Sequence, residues 1–396
     1  MKEERYDVLV IGAGPAGSVT AKTVAEKGLD VLLIERNTEI GLPVKCAEFV
    51  SRHIERFVDT DPRWICAMPK GIIIYGPGGS QVRLLTDGSD AVGYVLERRL
   101  FDKSLAQQAA HTGAEVRVKT RAYDVIKKDG YVKGVYVNSA GEDMRIFADV
   151  VVGADGVESY IGRWSGIDTR LRLTEISTCA QFLICNVEVD NDNCKPIFDS
   201  TIAIAPRGYA WIFPKGDGLA NVGLGIGGDI SGEGHRALDY LRAFVNDRFP
   251  DGQVLAEMYG VIPMSGPVFE TVMNWLVLVG DAARHVNPIT GGGILQAVQG
   301  GAIAGDVIAK AVYEKNVSRR RLLEYEKRWK REFGKALEVG FTIWNIIWRI
   351  SSQDQVRFFR EMAGEIRMKE FHERTFLKEM IKKNPWLLFR FARLIF

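Results

Sequence analysis

The sequence predicts an α/β protein, with a Rossmann-like nucleotide-binding domain, a β-rich domain inserted into it, and a C-terminal helical region. Three observations lead there. A glycine-rich turn joins an apolar strand to a helix at the start of the chain, in "YDVLVIGAGPAGSVTAKTVAEKG". Two more buried, parallel-type strands end in "GADG" (153–156) and "GDAA" (280–283). Between them, residues 174–263 are mostly short strands separated by turn signals.

Bulk properties set the limits. The 396 residues suffice for roughly two or three domains. A composition of 46% hydrophobic and 26% charged residues is that of a globular protein. The net charge of +2 is too small to point to a nucleic-acid partner. That charge is unevenly spread: residues 316–396 hold 19 Lys and Arg against 10 Asp and Glu, and four of the eight tryptophans. Five scattered cysteines form no C-x-x-C pair, and five histidines show no metal-ligand spacing, so neither a disulfide framework nor a metal site is expected. "MKEERYDVLVIGAG" runs from a charged start straight into a strand, unlike a secretory leader. "GFTIWNIIWRI" is too short to span a bilayer. The expected location is cytoplasmic, with any membrane contact peripheral.

The elements follow in order. "LDVLLIER" is the second strand of the opening βαβ unit. "KGIIIYGPGGSQVRLL" and "AVGYVLE" read as a β meander that interrupts the α/β pattern, and "RRLFDKSLAQQAAHTG" as an amphipathic helix. Strands "AEVRVKT", "GYVKGVYVN" and "ADVVVGADG" come next. The β-rich part holds "CAQFLICNVEVD", "TIAIA", "GYAWIFP" and "LANVGLGIGG". "WLVLVGDAA" returns to a buried strand, "GILQAVQGGAIAGDVIAKAV" to a long helix, and everything beyond Ser318 reads as helical. The expected boundaries are a nucleotide domain at 1–65, 97–172 and 271–315, a β-rich substrate domain at 66–96 and 173–270, and a helical region at 316–396.

The motifs that carry chemistry begin with "GAGPAG". Gly12 permits the tight turn, Gly14 lets a pyrophosphate approach the backbone, and Gly17 lets helix and strand pack closely. Ala16 lies in the first helical turn, whose free N–H groups suit phosphate. Glu35 ends the next strand, 18 residues after Gly17, where a carboxylate can accept hydrogen bonds from a ribose. "VVVGADG" then places Asp155 and Gly156 after a buried strand, and "VLVGDAARHVNPITGGGI" places Asp281 after another, before a glycine run that opens a helix.

These three motifs, in this order, resemble the flavoprotein monooxygenase and reductase superfamily of p-hydroxybenzoate hydroxylase. The resemblance covers roughly residues 1–315 and implies FAD as cofactor. It implies that Asp281 bonds the ribityl chain and that the N–H groups of Gly293 and Ile294 face the N1–C2=O edge of the flavin. A helix N-terminus there suits the negative charge of the reduced ring. It further implies that Arg98, in "RRLFD", stands near the cofactor and that the Ala122 backbone meets the adenine, whereas Arg99 is a solvated surface charge. "KCAEF" and "YAWIFP" are similar to stretches of the geranylgeranyl reductase family within that superfamily. By that similarity Cys46 and Ala47 lie beside the flavin, and Tyr209 and Trp211 line a tunnel for lipid. Ala47 and Glu48 depart from the glycines that many relatives carry after the cysteine.

On a strand, Tyr209, Trp211 and Phe213 point the same way. Two readings stand: core of the β-sheet, or the rigid wall of a channel for a polyprenyl chain, whose affinity comes from burying methylenes. An isolated trisubstituted alkene lacks a carbonyl to draw hydride, so a proton must arrive with or before it, from a donor in a water-poor cavity. Cys46 is the candidate donor by resemblance, its other role being a packed thiol that tunes the flavin. His285 is a weaker candidate and is expected to be structural. No second strand–GxGxxG–helix unit serves a nicotinamide, and "GLGIGG" sits between strands. Electrons are therefore expected from transient NAD(P)H contact or a small redox protein. The tail "NPWLLFRFARLIF", after Lys382 and Lys383, suits either a membrane interface or a helix closing the substrate domain. The implied activity is hydrogenation of geranylgeranyl chains, foremost in a digeranylgeranyl glycerophospholipid. The alternatives are a flavin-dependent aromatic monooxygenase or halogenase, since "YAWIFP" is close to the halogenases' W-x-W-x-I-P, and a non-catalytic prenyl-lipid carrier.

Overall fold

A computed structural model of the chain describes residues 1–86, 91–190, 192–197, 204–347, 351–368 and 373–386. Its opening strand, Lys2–Ile11, lies between two parallel neighbours, Val31–Ile34 and Glu142–Gly153. Glu115–Arg117 extends this sheet beyond Val31–Ile34, and Leu276–Leu278 extends it beyond Glu142–Gly153. The strand's side chains alternate between two apolar layers, as its period of two requires. Val8 and Val10 pack with the first helix, Pro15–Ala25, and the long helix Ile294–Tyr313; Leu9 and Ile11 pack toward the hairpin of Thr120–Lys128 and Tyr131–Ser139. Burial on both faces explains why these strands read as continuous apolar runs.

Among the described residues the second large sheet has eight strands, in the order Gln253–Pro263, Ile176–Cys185, Leu219–Gly227, Tyr209–Gly216, Asn193–Ile197, Gly71–Tyr75, Gln81–Thr86 and Gly364–Met368. One of its faces is covered by the helix Ala237–Arg248, whose Leu241, Phe244 and Val245 meet Ala210, Ile212 and Leu224. The other face carries Trp211 and Phe213, covered by C-terminal residues Ile343, Phe358, Phe359, Met362 and Met380.

Two expectations need correction. Gly93–Leu96, within "AVGYVLE", leaves the meander and pairs with Phe49–Ser51 and Ile65–Ala67 in a separate three-stranded sheet. The C-terminal region is not wholly helical, because Gly364–Met368 adds a parallel strand to the edge Gln81–Thr86. That strand is short, and pairing with a distant edge outweighs its local propensity. The helix Arg319–Trp329 docks on the nucleotide side, where the Tyr325 hydroxyl donates to the Leu278 carbonyl at 2.9 Å and the Trp329 indole donates to Thr271 Oγ1 at 3.1 Å. A π-helical turn, Lys330–Gly334, carries the chain on into Lys335–Ile347, which reaches the substrate sheet. Much of the expected strand "TIAIA" (201–203), Trp348 and the end of the tail (387–396) lie outside the described residues.

Candidate active site

One continuous cavity of about 1980 Å³ runs from the first glycine loop to the apolar face under the C-terminal helices. Its nucleotide end follows from the sequence. Gly12 has φ +106°, and a Cβ there would meet the Ala154 carbonyl oxygen at 2.3 Å; one at Gly17 would meet the Gly12 carbonyl oxygen at 1.9 Å. Both are glycine because backbone passes too close for any side chain. Neither lies in the cavity wall, whereas Gly14 and Ala16 do, and a Cβ on Gly14 would meet nothing within 4 Å. Glu35 lies in the wall beside them, its carboxylate accepting from the Ala13 N–H at 3.1 Å and from Asn37.

Asp155 and Gly156 also line this end. Asp155 Oδ2 accepts the Ile161 N–H at 2.9 Å, while Oδ1 is buried without a hydrogen-bond partner among the described residues. Burial pushes its pKa up to about 6. An open glycine cradle at a helix N-terminus, next to a carboxylate oxygen with a lone pair unused, fits a dinucleotide with hydroxyl donors to offer. Ala122 is placed elsewhere: it pairs in register with Val137 and packs against the apolar cluster of the hairpin, outside the cavity wall.

Farther along, Asp281, Gly293 and Ile294 line the cavity where the long helix begins. Burial raises the Asp281 carboxyl, with the Arg98 charge opposing it. Arg98 grips Asp102 through two hydrogen bonds, of 2.7 and 2.8 Å, and its guanidinium lies against Cys46. Cys46 and Ala47 stand in the same wall. Burial pushes the Cys46 thiol up, against the pull of Arg98 and of the Glu48 N–H that its sulfur accepts at 3.2 Å. Arg99 is exposed and pairs with Glu39 at 3.3 Å. His285 is not in the wall: it is fully buried among Trp329, Phe333 and Tyr325, and burial lowers its pKa to about 3.

Tyr209, Trp211 and Phe213 all line the cavity from one strand. Their ring centroids are 5.8 and 6.5 Å apart in sequence order. Gly223 lies opposite Trp211 on the neighbouring strand, and a Cβ there would meet the indole at 2.5 Å, so the glycine lets the ring lie flat on the sheet. Beyond the row the wall is Ile72, Ile74, Leu84, Cys194, Ile343, Phe358, Phe359 and Met380.

Sequence reasoning missed the polar residues that join the two ends. Gln181 accepts from the Trp211 indole at 2.7 Å and donates to the Cys46 carbonyl at 3.0 Å. Glu48 is buried and meets Lys215 at 2.6 Å. The available signal was a Gln and an Asn inside otherwise apolar strands, in "CAQFLIC" and "LANVGLG".

The fold and this cleft define an FAD-binding oxidoreductase. A Rossmann-like NAD(P)-binding domain pattern matches residues 10–71 and an FAD binding domain pattern residues 77–204. The geranylgeranyl reductase catalytic domain pattern matches residues 175–262. The chain is 46% identical to the digeranylgeranylglycerophospholipid reductase of Methanosarcina acetivorans, over 97% of this chain and 94% of the relative. It is 45% identical to that of Methanothrix thermoacetophila, over 99% of this chain and 100% of the relative. The crystal structure of a geranylgeranyl bacteriochlorophyll reductase-like protein from Thermoplasma acidophilum matches at 35% identity and a TM-score of 0.93, covering 99% of this chain and all of that one. The chain belongs to the digeranylgeranylglycerophospholipid reductase family. A flavin-dependent brominase, 21% identical with a TM-score of 0.72, shares the fold alone.

Proposed function

We propose that this protein is an FAD-dependent reductase of the isolated C=C bonds in geranylgeranyl chains, acting on a digeranylgeranyl glycerophospholipid. The observation that carries this reading is the continuity of the cavity from the Gly14 cradle, past Cys46, to the apolar wall of Trp211, Phe213 and Phe359. A hydrocarbon chain offers no polar handle, so only such a wall gives it affinity, at about 0.8 kcal/mol per buried methylene.

In this reading Gly14, Ala16 and Glu35 would hold the nucleotide half of FAD, with Gly12 and Gly17 shaping the turn, and Asp155 and Gly156 would close over it. The Ala122 backbone would approach the adenine only from outside the wall described above. Asp281, Arg98, Gly293 and Ile294 would hold the flavin half. Reduced FAD, when bound, supplies the hydride. Tyr209, Trp211 and Phe213 hold the prenyl chain straight and exclude water, which would otherwise compete for protons and lower the field inside the site. Cys46 holds a proton on Sγ at the wall, and burial keeps it there through neutral pH. That proton goes to the less substituted alkene carbon, so positive charge develops on the more substituted carbon, where hydride is received. The domain division is proposed to match these roles: 1–65, 97–172 and 271–315 for FAD, 66–96 and 173–270 for substrate, and 316–396 as the helical cover, the strand Gly364–Met368 apart.

Electrons would come from transient NAD(P)H contact or from a small redox protein. No helix among the described residues is long and apolar enough to cross a membrane. The lipid would be taken from the membrane surface by a peripherally bound, cytoplasmic enzyme, with the basic C-terminal region as its contact. Anaerobic turnover of a digeranylgeranyl glycerophospholipid with chemically reduced enzyme tests the reading. A mass gain of one H2 per saturated bond is expected; no gain with lipid, but turnover of an aromatic substrate with oxygen, would overturn it.

A further inference from the structure

The loop that carries Cys46 is fastened by side chains from three strands of the substrate sheet. Gln181, from Ile176–Cys185, donates to the Cys46 carbonyl at 3.0 Å. Asn221, from Leu219–Gly227, donates to the Ala47 carbonyl at 3.3 Å and to Glu48 Oε2 at 2.7 Å. Lys215, the residue after "YAWIFP", donates to Glu48 Oε2 at 2.6 Å and to Glu97 at 3.0 Å. The other Glu48 oxygen accepts the Arg98 N–H at 2.7 Å. One carboxylate thus receives donors from the substrate sheet and from the start of the helix Arg98–His111.

Glu48 also has left-handed backbone, with φ 75°. That conformation is uncommon for a residue with a side chain and persists only where the surroundings enforce it. Here it turns the Glu48 N–H back onto the Cys46 sulfur at 3.2 Å. The side chains of Glu48 and Lys215 are 2% and 5% exposed. A charge pair buried so deeply is a poor source of stability compared with apolar residues of like volume, and its best-attested use is to enforce one arrangement. The same Gln181 that holds the Cys46 carbonyl also holds the Trp211 indole at 2.7 Å.

We propose that Glu48, gripped by Lys215 and Asn221, is a positioning residue that fixes the Cys46 thiol at the cavity wall and, through Gln181, keeps the Trp211 ring in register with it. This rests on the reading of the cavity as the site of lipid reduction. The network ties reacting thiol and hydrocarbon wall together, so that a chain seated on Trp211 presents its double bond at one fixed offset from Cys46.

The test uses the full-length, FAD-loaded protein and the variants Glu48→Gln, Lys215→Arg and the double variant Glu48→Gln/Lys215→Gln. Alkylation of Cys46 by N-ethylmaleimide is followed on its own peptide by mass spectrometry, alongside flavin content and the kcat and KM for digeranylgeranyl glycerophospholipid. Glu48→Gln is expected to alkylate Cys46 about five-fold faster or more when the rate is taken per thiolate from its dependence on pH, which separates release of the thiol from its set position from the lower pKa that loss of the Glu48 charge brings. Its kcat should fall about 10- to 100-fold with FAD retained and KM changed by no more than about three-fold. Lys215→Arg, which keeps the charge facing Glu48, should change both readouts in the same direction as Glu48→Gln but by less; a larger change than in Glu48→Gln would overturn the proposal. An unchanged alkylation rate in Glu48→Gln overturns the proposal, whatever happens to kcat. If Glu48→Gln does not fold, the neutral double variant is read in its place; failure of both to fold makes the network a structural prop and also overturns it. Should the parent protein reduce no lipid, the functional reading fails, and the alkylation rates alone decide whether Glu48 positions Cys46.

Discussion

The hydroxyl of Tyr209 donates its hydrogen bond to the carbonyl of Thr290, so the first ring of the aromatic row is fastened to the glycine loop that opens the long helix. Gly291, next in that loop, has φ +67°, and a Cβ there would stand 3.6 Å from the same hydroxyl. Tyr209→Phe keeps the ring and removes the tie. A hydrogen bond of this kind contributes about 1 kcal/mol, so FAD should be held about five-fold more weakly. Flavin fluorescence on dilution reads this; unchanged release would show that the tie is idle.

Trp211→Ala should abolish most lipid turnover while leaving FAD bound, at a stability cost of about 3 kcal/mol. Gly223→Ala reaches the same ring without touching its chemistry, because the new methyl occupies the space of the indole, 2.5 Å away. It should raise the KM for lipid about 10-fold, with flavin content unaltered. Equal loss of FAD and lipid binding in both variants would mark the row as core alone.

Cys46→Ala and Cys46→Ser should bind FAD and lose turnover by about 100-fold if the thiol delivers the proton. An acid must be protonated to act. Burial raises this thiol above its ordinary value, so the parent rate should stay flat through pH 8 and fall only above the usual thiol range. A rate that climbs between pH 7 and 9 would instead show the thiolate as the active form. Full turnover in either variant removes Cys46 from the chemistry.

His285 predicts a pH dependence of stability. Burial lowers its pKa from 6.5 to about 3, and neither ring nitrogen has a hydrogen-bond partner among the described residues. Between those values the unfolded chain binds a proton that the folded one refuses, so acid favours unfolding by about 1.4 kcal/mol per pH unit. Asp155 works oppositely: raised from 3.8 to about 6, it adds stability as pH falls through that range. His285→Leu removes only the first effect. Its urea stability relative to the parent should therefore improve by about 2 kcal/mol between pH 7 and pH 5. No change in the difference would place a partner on the ring.

Flotation with vesicles rich in anionic lipid tests the membrane contact. Full-length protein should float, and a chain ending at residue 386 should not, because the removed "LLFRFARLIF" carries apolar rings with two arginines. Raising salt should weaken flotation, since screening reduces the attraction to head groups. If both forms stay at the bottom of the gradient, the contact does not exist.

Legibility followed the kind of constraint. Gly12 and Gly17 could be read from sequence because close backbone restricts the residue type outright. The Tyr209–Trp211–Phe213 row could be read because alternation is local, and the structure turns Ala210 and Ile212 to the opposite face, against the helix Ala237–Arg248. Gln181, Lys215 and Asn221 could not, because a polar residue in a strand reads as facing water until its cross-strand neighbours are known, and Glu48 could not, because a charged residue in a loop reads as solvated. Phe213 opposes Asn221, for example, and only that register shows the amide pointing inward toward Glu48. "GEIRM" alternates over only four residues amid helical patterns, too short a run to read as strand without its partner Gln81–Thr86. "AVGYVLE" did read as strand, but alternation does not name the partner, and Gly93–Leu96 found Phe49–Ser51.

The pairing of Gly364–Met368 with Gln81–Thr86 also sets an order of events during synthesis. Opposite sides of one sheet edge are separated by more than 270 residues of chain, so the edge stays open until the later strand has been made. Phe358, Phe359 and Met362 reach the sheet on the helix just before that strand. Until they arrive, the nascent protein displays an uncovered greasy trough beside an unpaired β-edge, the kind of surface that draws chaperones and self-association. Termination after Tyr209–Gly216 but before Ser352–Met362 leaves that trough without these three side chains.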